Sequence, residues 1–153
     1  MRAKGFKSVL AVSEMNKLLV TLVVLFLDVI PAYAGEHSGI VTHVRDGDTI
    51  LVGIKPVRLS GVHAPERGEN GGKEATRFMK QLVLGKRVIC TLDGQKSYDR
   101  LIGICFLDGE DIGAKLIAAG FGRDCPRYSG GRYQAHEKIS ASKLRLPDYC
   151  KKR

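Results

Sequence analysis

Asp46-Gly47-Asp48-Thr49, followed by Arg58-Leu59-Ser60-Gly61-Val62-His63-Ala64-Pro65-Glu66, is the stretch from which the rest of the chain can be placed. It holds two carboxylates on a Gly turn, then an Arg and a Glu eight residues apart. A carboxylate can hold a hard divalent cation, a Glu can take a proton from water, and an Arg fork can grip a phosphate with two parallel hydrogen bonds. A second Arg follows in Tyr98-Asp99-Arg100. Singly these are common features. Asp-Gly is a frequent hairpin turn because it tolerates positive φ. The order and spacing of the set give it meaning.

Working outward, residues 39–44 alternate weakly and predict a first strand that turns at Asp46-Gly47. Residues 49–54 and 57–62 predict the second and third, and Ser60-Gly61 within the third predicts a bulge or bend of the kind that small closed barrels need. Residues 67–72 form a Gly-rich connector without the Lys-Ser/Thr ending of a phosphate loop. Ala75, Phe78, Met79, Leu82 and Val83 recur at helical spacing, so residues 73–84 predict a helix closed by Gly85. Residues 87–92 and 101–107 predict the fourth and fifth strands, with Tyr98 and Arg100 on the loop between them. Residues 111–119 predict a short helix with Asp111 as N-cap, and 133–144 a third helix with a weaker stripe. His43 and His136 are expected at the surface. The pattern is a mainly β chain with helices (α+β), five short strands closing into a small barrel, in one domain.

The motifs DGDT, RLSGVHAPE, YDRLIGICFLDG and DIGAKLIAAGFG, in that order between Gly39 and Leu144, resemble those of the staphylococcal-nuclease-like (thermonuclease) family. The resemblance implies an OB-type five-stranded β-barrel with about three α-helices, and hydrolysis of DNA or RNA phosphodiesters by water. It places Arg58, Glu66 and Arg100 at the three catalytic positions. It implies a Ca²⁺ ion with Asp48 as one carboxylate ligand and a backbone carbonyl offered at Ala64, and it puts Tyr98 and Tyr128 near the nucleotide. His63 stands where the family usually has an Asp. Imidazole suits Zn, Cu, Fe or Ni better than Ca²⁺. Three outcomes are open: weaker Ca²⁺ dependence, a transition metal, or a barrel that binds nucleic acid without cutting it.

Residues 18–30 form a 13-residue apolar run, preceded by Lys17 and followed by Ala32-Tyr33-Ala34. This predicts a signal peptide over residues 1–34 and a mature domain over 35–153, with Met15 as a second candidate start and a secreted or periplasmic destination. The run is short for a membrane span, so no stable anchor is expected. The net charge is +9; residues 1–34 hold four basic and two acidic side chains, so +7 remains without them. That excess suggests an anionic partner: it fits nucleic acid, DNA or RNA, and equally a solubilising shell or an anionic cell surface. No protein partner is implied, and a monomer is expected. The four cysteines lack C-x-x-C spacing, which argues against zinc, and in an oxidising compartment they favour disulfides. Cys125–Cys150 is the favoured bridge; Cys90 and Cys105, expected on neighbouring strands, are open between a bridge and two buried thiols. The alternatives to a nuclease are a catalytically silent nucleic-acid-binding barrel and an exported structural or polyanion-binding module with no nucleic-acid role.

Overall fold

The computed structural model describes residues 35–151, and the expected leader lies outside them. The elements are β1 (Glu36–Val44), β2 (Thr49–Val52), β3 (Lys55–Leu59), β4 (Val62–His63), α1 (Gly72–Val83), β5 (Arg87–Ser97), β6 (Arg100–Leu107), β7 (Glu110–Asp111), α2 (Ile112–Ala118), β8 (Arg123–Asp124) and α3 (Pro126–Ser129). Three 3₁₀ turns follow, Gln134–His136, Ile139–Lys143 and Asp148–Cys150.

Antiparallel pairing runs β3-β2-β1-β5-β6, and a parallel pairing of β6 with β3 closes the strands into a ring. This is the OB-type, mainly β arrangement with three helices that the sequence predicts. Register shifts in β1 after Val41 and in β5 after Leu92 supply the curvature that closure requires. Along β3, Val57 and Leu59 are buried while Arg58 between them is only partly covered, as a two-residue period dictates. The ring interior is filled by Val41, Val44, Ile50, Val52, Val57 and Val88, and α1 closes it with Ala75, Met79 and Val83. Asp111 caps α2, its carboxylate accepting from the N–H groups of Gly113 and Ala114.

Three expectations need correction. The third strand does not run to Val62: it ends at Leu59, Gly61 turns at φ +73°, and β4 begins a second, two-stranded sheet with β8. Only glycine fits at position 61, since a Cβ would lie 2.7 Å from the Cα of Ser129. The segment after Leu92 is not a loop but a continuation of β5, which turns back into β6 through Tyr98-Asp99. The third α-helix is Pro126–Ser129, and the predicted helix 133–144 is instead a pair of 3₁₀ turns. Its path is set by distant partners. The buried Tyr133 hydroxyl donates to Asp111 Oδ2 (2.9 Å), and Glu137 accepts from Arg123 Nε (2.7 Å).

Both bridges are formed. Cys125–Cys150 is the expected one, and Cys90–Cys105 joins directly opposed residues of β5 and β6 with Cα atoms 4.0 Å apart.

Candidate active site

The Asp46–Thr49 turn is buried, and this decides what its carboxylates can do. Asp48 is 2 % exposed. Its Oδ1 accepts from Arg58 Nη1 (2.6 Å) and from Thr49 Oγ1 (3.1 Å), and its Oδ2 accepts from the Ala64 N–H (2.9 Å). Asp46 Oδ1 in turn accepts from the Asp48 N–H (3.1 Å). Burial pushes the Asp48 carboxyl above its ordinary range; the Arg58 guanidinium opposes the rise and Asp46 adds to it. Gly47 is outside the left-handed region, so its reason is not φ. A Cβ there would sit 2.7 Å from that of Ala64 and 2.8 Å from that of Ala75, so glycine lets the turn lie against α1.

Arg58 stands on β3 opposite Ile102 of the parallel β6, two residues along from Arg100. Arg100 Nη2 donates to Ser97 Oγ (3.0 Å) and its Nε to the Ser97 carbonyl (3.3 Å), while Nη1 reaches Thr49 Oγ1 at 3.5 Å. The two arginines are therefore anchored on adjacent residues of one turn, Asp48 and Thr49. Glu66 follows the buried Pro65 and is itself exposed. Its N–H donates to Glu69 Oε2 (2.9 Å) and its carbonyl accepts from the Glu69 N–H (2.8 Å). A side chain at Gly72 would run into that carbonyl, so the start of α1 holds the Glu66 backbone in place.

Arg58, Glu66, Arg100, Tyr98 and Tyr128 all line one cleft of about 730 Å³. Tyr98, at the tip of the β5–β6 hairpin, is 95 % exposed and has φ +59°. Arg100 lies 6.0 Å from its ring centroid, and Arg127 lies 5.7 Å from that of Tyr128. An exposed pair, Arg45 with Asp99 (2.9 Å), ties the hairpin tip to the residue preceding the buried turn, and this hydrogen bond holds the Asp99 carboxyl below its usual range.

His63 is directed elsewhere. Its ring Nε2 lies 3.1 Å from the carbonyl of Arg145, so Nε2 carries the proton and donates, and Nδ1 is enclosed with no partner among the described residues. Burial, then the charge of Arg58, lowers its pKa. The described residues hold no cluster of three His, Cys, Asp or Glu side chains fit to bind a metal. Asp48 is already paired with Arg58 and accepts from the Ala64 N–H, and position 63 offers an imidazole nitrogen where an anionic oxygen would be needed. This donor set does not fit the oxygen-rich cage that Ca²⁺ requires.

The chain matches the model of the family described as "Staphylococcal nuclease homologue" over residues 56–144. It belongs to that family. A protein named "Uncharacterized endonuclease" from Escherichia coli O157:H7 is 34 % identical over 102 residues, covering 63 % of this chain and 67 % of its own. Another of the same name from Haemophilus influenzae is 26 % identical over 139 residues, covering 86 % and 78 %. A "Probable endonuclease" from Colletotrichum graminicola is 27 % identical over 93 residues, covering 54 % and 34 %.

Sequence reasoning missed three cleft residues, Lys96, Arg127 and Tyr149. Lys96 was hidden by reading its segment as a loop. Arg127 neighbours Tyr128, so a basic-aromatic pair was visible there. For Tyr149 the signal was the Cys125–Cys150 bridge: joining those cysteines brings residue 149 beside residues 127 and 128.

Proposed function

We propose that the protein is an exported endonuclease that hydrolyses phosphodiester bonds of DNA or RNA by water attack. The observation that carries this reading is the convergence of Arg58, Glu66 and Arg100, from three separate parts of the chain, on one cleft. Membership of the family and the names of the relatives support it. Glu66, exposed at the cleft, accepts a proton from the attacking water. Arg58 and Arg100 neutralise the charge that gathers on the phosphoryl oxygens, each held in advance by its own anchor, which is how electrostatic stabilisation acts without reorganisation. Asp48 takes only Nη1 of Arg58, and a guanidinium has donors on all three nitrogens. Tyr98 and Tyr128 offer π faces to flanking bases.

A second reading, a nucleic-acid-binding barrel that does not cut, is favoured by one observation: the position matching a metal ligand is His63, engaged with Arg145. One assay separates the two. The mature protein is incubated with plasmid DNA and single-stranded RNA, with chelator, with calcium, and with manganese or zinc. Cleavage in any arm that Glu66→Gln abolishes supports the nuclease. Salt-dependent gel retardation without cleavage in every arm supports the silent barrel.

A further inference from the structure

The family match ends at Leu144, yet the chain continues across the candidate site. From Leu144 to Cys150 it forms a strap pinned at three points. Arg123 Nη1 donates to the Leu144 carbonyl (3.2 Å), His63 Nε2 donates to the Arg145 carbonyl (3.1 Å), and Cys150 is bridged to Cys125. Gly71 makes room for it, since a Cβ there would lie 2.9 Å from Leu144 Cδ2. These anchors sit on β4, β8, the start of α1 and the N-terminus of α3, and of these β4 and α3 also line the cleft.

The strap delivers one side chain to the cleft. Tyr149 is 48 % exposed and lines the cleft with Arg58 and Glu66. Its ring meets that of His63 edge-on, with centroids 6.4 Å apart, so the histidine fixes both the strap's backbone and the tyrosine's orientation. Partial burial and the neighbouring carboxylates of Asp48, Glu66 and Glu69 raise its pKa against the pull of Arg58. The phenol therefore stays protonated and is a neutral donor in the cleft that Arg58, Arg100 and Glu66 also line.

We propose that Tyr149 is a substrate-contacting residue, its hydroxyl donating a hydrogen bond to a phosphoryl oxygen of a nucleic-acid strand held between Arg58 and Arg100, with residues 144–150 as the strap that places it. This rests on the nuclease reading for the identity of the strand. It gives His63 an assignment of its own, as the positioning residue of the strap.

The test uses the mature chain in two readouts. Cleavage of a fluorescent single-stranded oligonucleotide gives kcat and KM, and binding of the same oligonucleotide to the Glu66→Gln protein is followed by anisotropy. Tyr149→Phe, which keeps the ring, is expected to lower kcat/KM or the binding constant roughly 10- to 100-fold, the range for losing a hydrogen bond to a charged group. The pair Cys125→Ala/Cys150→Ala is expected to produce a loss of similar size, with the β-ring's circular dichroism retained. Tyr149→Phe indistinguishable from wild type in both readouts overturns the proposal. So does a loss seen only in Tyr149→Ala, which would assign the contact to the ring. Absence of cleavage by the wild type fails the nuclease reading alone, because the binding comparison still decides the role of Tyr149.

Discussion

Arg58 and Arg100 carry the same charge in the same cleft, yet removing them has different consequences. Arg58 is 17 % exposed and faces a carboxylate that is 2 % exposed, whereas Arg100 is held by Ser97 and Thr49. Either change to Ala is expected to lower turnover about 100-fold. Arg58→Ala is also expected to destabilise the fold by on the order of 3 kcal/mol, because it strands the buried Asp48 charge. Asp48→Asn in that background should recover stability without recovering turnover, and urea unfolding beside cleavage rates checks both. From sequence, Arg58 reads as a catalytic position; the burial of its partner could not be read from spacing. His63 gives a pH signature. Its native pKa is lowered, so the folded protein keeps the ring neutral while the unfolded chain binds a proton near pH 6.5. Stability is then present above that pH and is lost as pH falls below it toward the depressed native value. Asp48, raised by burial to about 7, acts in the opposite sense over the same range and is present in both proteins compared below. Comparison with His63→Gln, whose amide can still donate to Arg145, isolates the histidine: between pH 7.5 and 5.5 the wild type should lose more thermal stability than the variant. Equal losses would show that His63 titrates normally.

Among the elements, the hairpin of β5 and β6 shows a local conflict with a functional gain. Tyr98 occupies a left-handed position that suits glycine, at a cost of about 1 kcal/mol for a residue with a Cβ. Tyr98→Gly is therefore expected to raise stability by up to ~1 kcal/mol while weakening oligonucleotide binding; a variant improved in stability and unchanged in binding would remove Tyr98 from the site. Elements with their own signals were legible. The stripe from Ala75 to Val83 fixes α1 to within a residue at each end, and Asp111 announces α2. The stretch 133–144 misled because Tyr133 is held by Asp111, far away in sequence, and its buried members Tyr133 and Ala141 do not make a continuous helical face. The extension of β5 past Leu92 misled for a related reason. Asp93, Gln95 and Lys96 are polar because they border the cleft, and polarity reads as loop.

For the molecule as a whole, the cysteines and the leader make a joint prediction. Mass spectrometry of exported protein is expected to find a chain beginning at Gly35, with Cys90–Cys105 and Cys125–Cys150 linked in a non-reducing digest. An intact leader would count against export, and free thiols at either pair against the corresponding bridge. In the chain-entropy picture each bridge contributes ~3 kcal/mol by restricting the unfolded chain. Reduction should therefore lower stability while the antiparallel ladders persist. The expectation of export rests on residues 17–34 together with the even cysteine count. The partner of Cys90 was not, because only the β5–β6 register sets Cys105 opposite it.

The parallel seam between β3 and β6 also has a kinetic meaning. Val57, Arg58 and Leu59 meet Leu101, Ile102 and Gly103, partners 44 residues away, whereas β5 and β6 meet through a tight turn. Contacts of such long sequence separation bear the loop-closure entropy before any reward, so they form late and slow the reaction. The seam is also what sets Arg58 beside the strand that begins at Arg100. No partly folded species lacking it can hold both arginines at one phosphate. In refolding from urea with disulfides intact, recovered cleavage should track the slowest major folding phase. A fraction of activity returning in an earlier phase would mean that the arginines find each other before the ring is complete.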